Sequence, residues 1–224
     1  MANRAFAGIW CRSLGQDVML QQLAKFLASV PFSASRPGFS GLTIRAAYPT
    51  EIPILEPDLR GVNADAITVA RLASEHLNTD CAYETSAYWD MWVFDVATAK
   101  WKHSPEPLEL ACYGEEYDDG IFRELGHFHV DLGFEHLFTG HAQLLGFSRA
   151  PLATPQHPDE RLFIECMSQP AHLREYQEKT RENIRTLVEW MQLIERAIPV
   201  ERTLLWSEGE ENFEARIEEI LAVR

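Results

Sequence analysis

The chain predicts an α+β protein, because short alternating strands dominate its first two thirds, helical periodicity dominates its last third, and proline-bearing segments separate the elements. Ala5 to Arg12 alternates and carries Ile9 and Trp10, which suits a strand. Gly15-Gln16-Asp17 offers a turn with Asp17 as N-cap, and Val18, Leu20, Leu23, Phe26, Leu27 and Val30 follow at helical spacing. Pro31 and the Ser/Pro/Gly-rich run from Ser33 to Gly41 end that helix in a loop.

Leu42 to Tyr48 is the next expected strand. Pro49, Pro53 and Pro57 then reduce Ile52 to Leu55 to a short edge strand at most, since proline donates nothing to a ladder. Asn63 or Asp65 caps a second helix carrying Ile67, Ala70, Leu72 (or Ala73) and Leu77. Tyr88 to Val96 is apolar on both faces, as a central strand covered twice would be. Strand, helix, strand, doubtful strand, helix, strand is the ferredoxin-like βαββαβ order, expected here over residues 1–100.

Two further antiparallel strands are expected at Leu108 to Tyr113 and around Phe128 to Leu132, and a last one at Ala142 to Phe147. Residues 1–150 thus form a sheet domain. Pro151 to Pro158 is the linker candidate, and residues 151–224 form a helical extension packed on the sheet. From Pro170 to Ala197 one stripe carries Leu173, Tyr176, Thr180, Ile184, Leu187, Val188, Met191 and Ile194, and Pro199 stops it. A short strand at Thr203 to Trp206 and a final helix with Phe213, Ile217, Ile220 and Leu221 complete the chain.

The formal charge is −14, and its placement says more than its size. Residues 1–100 carry ten acids and eight bases, whereas residues 101–224 carry twenty-four and twelve. Such a surface disfavours nucleic acid and anionic membranes, which need clustered Lys and Arg, and favours a basic protein partner. No apolar run reaches the ~18–20 residues of a membrane helix, and Cys11-Arg12 cuts the N-terminal run short of a signal segment, so a cytoplasmic location is expected. The four cysteines form no C-x-x-C pair and suit reduced core thiols. There is no P-loop, no G-x-S-x-G, no G-x-G-x-x-G and no kinase signature.

Three constellations are candidates for function. His127, His129 and Asp131 fall on one face of a strand with side chains about 7 Å apart, and His136 and His141 follow closely. Two imidazoles and a carboxylate are a ligand set for a divalent metal such as zinc, iron or manganese, although a strand with one solvated face shows the same alternation. A second constellation, Glu115, Glu116, Asp118 and Asp119, fails the calcium-loop template and fits docking of a basic partner or a solvated loop. In the third, Trp92 and Trp101 belong to a dense aromatic run that fills a core or anchors a partner. The expected role is a non-enzymatic binding protein for a basic partner. A metal-dependent enzyme using the histidine strand and a small-ligand-binding homo-oligomer are the alternatives.

Overall fold

The computed structural model describes residues 3–141 and 157–222. They form six strands, β1 (Arg4–Cys11), β2 (Gly41–Ala46), β3 (Cys81–Asp95), β4 (Lys100–Tyr113), β5 (Phe128–Phe134) and β6 (Val200–Ser207). The longer helices are α1 (Gln16–Ala28), α2 (Ala66–Ser74), α5 (Pro158–Met167), α6 (Pro170–Ala197) and α7 (Phe213–Ala222). Two single-turn helices, α3 (Phe122–Leu125) and α4 (His136–Thr139), flank β5. The expected strand at Ala142 to Phe147 and most of the expected linker lie outside the described residues. Pro158 itself opens α5, a helix the sequence pattern did not signal.

All six strands join one antiparallel sheet in the order β2-β3-β4-β5-β1-β6. The α+β class therefore holds. The ferredoxin-like arrangement is not what residues 1–100 form, because β1 lies between β5 and β6, separated from β3 by two strands and from β2 by three. The cause is partly the proline segment: Leu55 and Asp58 make only isolated bridges to Ile44 and Gly41, so no third strand is available there. The partners of β1 come instead from residues 128–134 and 200–207.

Alternation decides which face is buried. Ala5, Ala7 and Ile9 on β1, Tyr83, Ala87, Trp89 and Met91 on β3, Leu108 and Leu110 on β4, and Phe128, Val130 and Leu132 on β5 are all buried under the helices. Phe26 of α1 stacks on Phe128 at 4.4 Å, and Trp190 of α6 meets Trp89 edge-on at 5.7 Å. The long helix thus packs on its own sheet through Tyr176, Ile184, Leu187, Trp190, Met191 and Ile194. Asp65 is the N-cap of α2, accepting from Thr68 N–H at 2.8 Å, whereas α1 is preceded by Gly15, with Asp17 inside its first turn.

The β3–β4 hairpin runs past the rest of the sheet. Pro105 and Pro107 lie within β4 but beyond the stretch, Glu109 to Cys112, that pairs with β5, so neither removes a ladder bond on that side.

Candidate functional site

The opposite face of the sheet keeps its side chains only partly covered. Ladder register places Ser86, Glu109, Asp131, Phe6 and Trp206 in one row across β3, β4, β5, β1 and β6. The adjacent row runs Thr43, Glu84, Ala111, His129, Gly8 and Leu204. Small side chains in the middle of the second row leave a concavity of about 360 Å³, lined by Glu84, Ser86, Glu109, Tyr113, His129 and Asp131 among others.

Charge on this face is mostly negative. Asp131 accepts from Arg4 Nε at 2.6 Å and Glu84 from Arg45 Nη1 at 2.6 Å, so the two guanidiniums flanking Glu109 are engaged, while a third, Arg202, lies farther along the face over the Trp10 ring at 3.8 Å. Glu109 lies between these pairs, and its Oε2 accepts from Ser86 Oγ at 2.5 Å. Its pKa is raised, chiefly by lost hydration and further by Asp131 and Glu84, against the opposing pull of Ser86 and Arg4. An additional cation beside Glu109 would relieve that strain.

Aromatic rings frame the carboxylates. His129 stacks with Phe6 at 5.7 Å and with Tyr113 at 6.4 Å, and lies 5.6 Å from Trp206. Burial among these rings lowers the His129 pKa, with Asp131 pulling the other way. Tyr113 in turn stacks on Tyr117 at 5.9 Å, with the planes 3° apart. That contact joins the face to the acidic loop, in which Glu115, Glu116 and Asp119 are exposed. Asp118 N–H donates to Ala47 O at 2.7 Å, which seats the loop beside β2. Glu116 accepts from Thr79 Oγ1 at 3.0 Å, and Asp119 lies 3.4 Å from the Tyr48 hydroxyl.

The five residues expected to form a metal centre are distributed over three places. His129 and Asp131 share the uncovered face, as their alternation requires. His127 precedes β5, where Gly126 takes a φ of 94° and turns the chain. Its ring is buried against Phe122 at 4.4 Å, and its Nδ1 accepts from Cys11 N–H at 3.0 Å. His127 Nε2 has no hydrogen-bond partner among the described residues and lies 4.0 Å from Glu115 Oε1. His136 and His141 meet each other at 6.1 Å on a separate cavity beside α4. Among the described residues no group of three or more His, Cys, Asp or Glu side chains is arranged to hold a metal ion.

The two tryptophans paired with the acidic loop as a partner surface also lie elsewhere. Trp92 and Trp101 line that separate cavity, on the projecting hairpin. Arg4, Phe6, Glu84, Glu109, Tyr113 and Trp206 also belong to the uncovered face, and none of them was singled out from the sequence as a site residue. Only the strand register brings them together, and register is not a local property of the chain. Comparison with protein-family models, with curated proteins and with solved structures finds no match to this chain.

Proposed function

We propose that the chain is a non-enzymatic binding protein that docks a basic segment of another protein on the uncovered sheet face and the acidic loop beside it. The observation that carries this reading is Glu109: a carboxylate with a raised pKa, set between two ion pairs that engage the neighbouring guanidiniums of Arg4 and Arg45. Glu84, Asp131, Glu115, Glu116, Asp118 and Asp119 extend the same sign of charge around it. Guanidinium groups stack on aromatic faces and fork onto carboxylates, and Phe6, His129, Tyr113 and Trp206 supply faces next to the acids. Acidic complementarity of this kind accelerates encounter with a basic partner. The four free cysteines suit a reducing compartment such as the cytoplasm.

An octa-arginine peptide titrated into the protein tests the reading, with binding followed by calorimetry and by Trp206 emission. Glu109→Gln with Glu115→Gln and Asp119→Asn weakens binding by about ten-fold or more, because these acids face the peptide together. Glu189→Gln with Glu195→Gln and Glu218→Gln removes the same charge from exposed helix surfaces and leaves binding within about two-fold, as screened distant charges should. Equal losses in the two triple variants would reduce the effect to net charge and refute the site. Binding also strengthens as pH rises through the raised Glu109 pKa, since only the ionised carboxylate attracts the peptide.

A further inference from the structure

A second, larger cavity of about 660 Å³ lies between the projecting β3–β4 hairpin, α4, α5 and α6. It belongs to no part of the docking face, and its chemistry differs. Four rings close a circuit on one wall: Phe94 to Trp101 at 5.3 Å, Trp101 to Tyr176 at 5.6 Å, Tyr176 to Phe163 at 5.5 Å, and Phe163 back to Phe94 at 5.5 Å. Three carboxylates, Glu135, Asp159 and Glu160, also line the cavity, and no Lys or Arg does among the described residues.

The polar groups at its floor are already committed. Asn183 bonds the Trp92 backbone and the Leu137 carbonyl, Thr180 Oγ1 donates to Tyr176 O at 3.0 Å, and the Tyr176 hydroxyl accepts from His141 N–H. The carboxylates Glu135, Asp159 and Glu160 remain in the lining, with no Lys or Arg in it among the described residues, and a cation with an apolar body matches that combination of ring faces and negative charge. The hairpin already shows that preference: Lys179 Nζ sits 3.7 Å from the centroid of Trp92, another residue of the lining.

We infer that this cavity is a binding site for a small organic cation, a quaternary or aryl-alkyl ammonium, held against the Phe94–Trp101–Tyr176–Phe163 wall and charge-matched by Glu135, Asp159 and Glu160. The inference stands independently of the docking face, since the two share no residue.

The test titrates the full-length protein with benzyltrimethylammonium and with its uncharged isostere, neopentylbenzene, following tryptophan emission and ligand NMR line width. Saturable binding of the ammonium, about ten-fold or more tighter than the isostere, is the expected result. Trp101→Phe shifts the emission response to the ligand. Glu135→Gln with Asp159→Asn and Glu160→Gln loses about ten-fold in affinity, and Glu189→Gln with Glu195→Gln and Glu218→Gln stays within about two-fold. Circular dichroism of each variant confirms the fold. Absence of saturable binding, equal binding of the isostere, or equal losses in the two triple variants would overturn the assignment.

Discussion

Asn183 on α6 closes a two-bond ring on the backbone of Trp92 in β3. Its Oδ1 accepts from Trp92 N–H at 2.8 Å and its Nδ2 donates to Trp92 O at 3.1 Å, with a second donation to Leu137 O at 3.1 Å. The geometry has a structural reason. β2 pairs with β3 only as far as Ser86, so the outer edge of β3 beyond it has no neighbouring strand among the described residues. A side-chain amide carries one acceptor and two donors, and here all of these functions are used against backbone groups that are partly or fully buried.

Replacing Asn183 should therefore be more damaging than its side-chain volume suggests. Asn183→Ala strands the Trp92 N–H and O and the Leu137 O together, at a cost of about 2–4 kcal/mol from unmade buried hydrogen bonds. Asn183→Asp keeps the acceptor, loses both donors and adds a buried charge, so it destabilises at least as much. Urea unfolding measures both, and a loss below about 1 kcal/mol for the alanine variant would mean that water takes over the bonds.

Gly8 illustrates a different constraint. It lies in the middle of β1, and a Cβ there would come within 2.6 Å of Leu125 O and 2.8 Å of the Trp10 ring. Leu125 ends α3, so the single-turn helix is drawn onto the sheet by the absence of a side chain. Gly8→Ala forces a backbone carbonyl to shift and costs about 1–3 kcal/mol. At this chain length each kcal/mol lowers Tm by about 2–4 °C, which a thermal melt resolves. An unchanged Tm would mean that α3 moves freely and does not close that end of the face.

The parts of the fold that were legible in the sequence are those with local causes. The stripe from Pro170 to Ala197 and its stop at Pro199 appear as expected, because amphipathic periodicity and proline act within a few residues. The alternation of Phe128, Val130 and Leu132 against His129 and Asp131 is equally local and equally correct. The sheet order was not legible, since the pairing of β1 with β6 joins residues two hundred positions apart in the Phe6–Trp206 pair. β3 begins at Cys81 rather than near Tyr88, because its first half mixes Glu84 and Ser86 with buried Tyr83 and Thr85, and only one of its faces is apolar. Glu109 looked like the polar half of an alternation. Its raised pKa depends on Ser86, Asp131 and Glu84, brought alongside by register alone.

Thiol accessibility offers a third check. Cys11, Cys81 and Cys112 are buried, and burial pushes the Cys11 and Cys81 thiols up to about 12. Cys166 is only partly covered, with His172 Nδ1 at 3.2 Å from its sulfur. Because the thiolate is the reactive form, a chromogenic aromatic disulfide should label Cys166 alone in the native protein and the other three cysteines only after denaturant is added. Cys166→Ser removes the native reaction. Rapid native labelling of a second cysteine would show that the helix layer opens over β1, β3 or β4 on the timescale of the assay.

The histidines should make stability fall on mild acidification. His127, His129 and His136 all have pKa values lowered from 6.5, in each case first by burial, and that of His136 falls to about 4 with His141 adding to the effect. Glu115 and Glu201 oppose the shift at His127, and Asp131 opposes it at His129. The unfolded chain takes up protons at these sites as pH drops through about 6.5, whereas the folded chain resists until its own lower pKa values are reached. The stability they contribute is complete above the unfolded value and is lost progressively below it. Melting curves between about pH 7.5 and 5 should therefore show a falling Tm before most carboxylates titrate. His129→Gln, which keeps a polar side chain between Phe6 and Tyr113 but cannot titrate, should flatten part of that slope. A slope unchanged in this variant would assign the acid sensitivity to His127 and His136, whose own glutamine variants separate them.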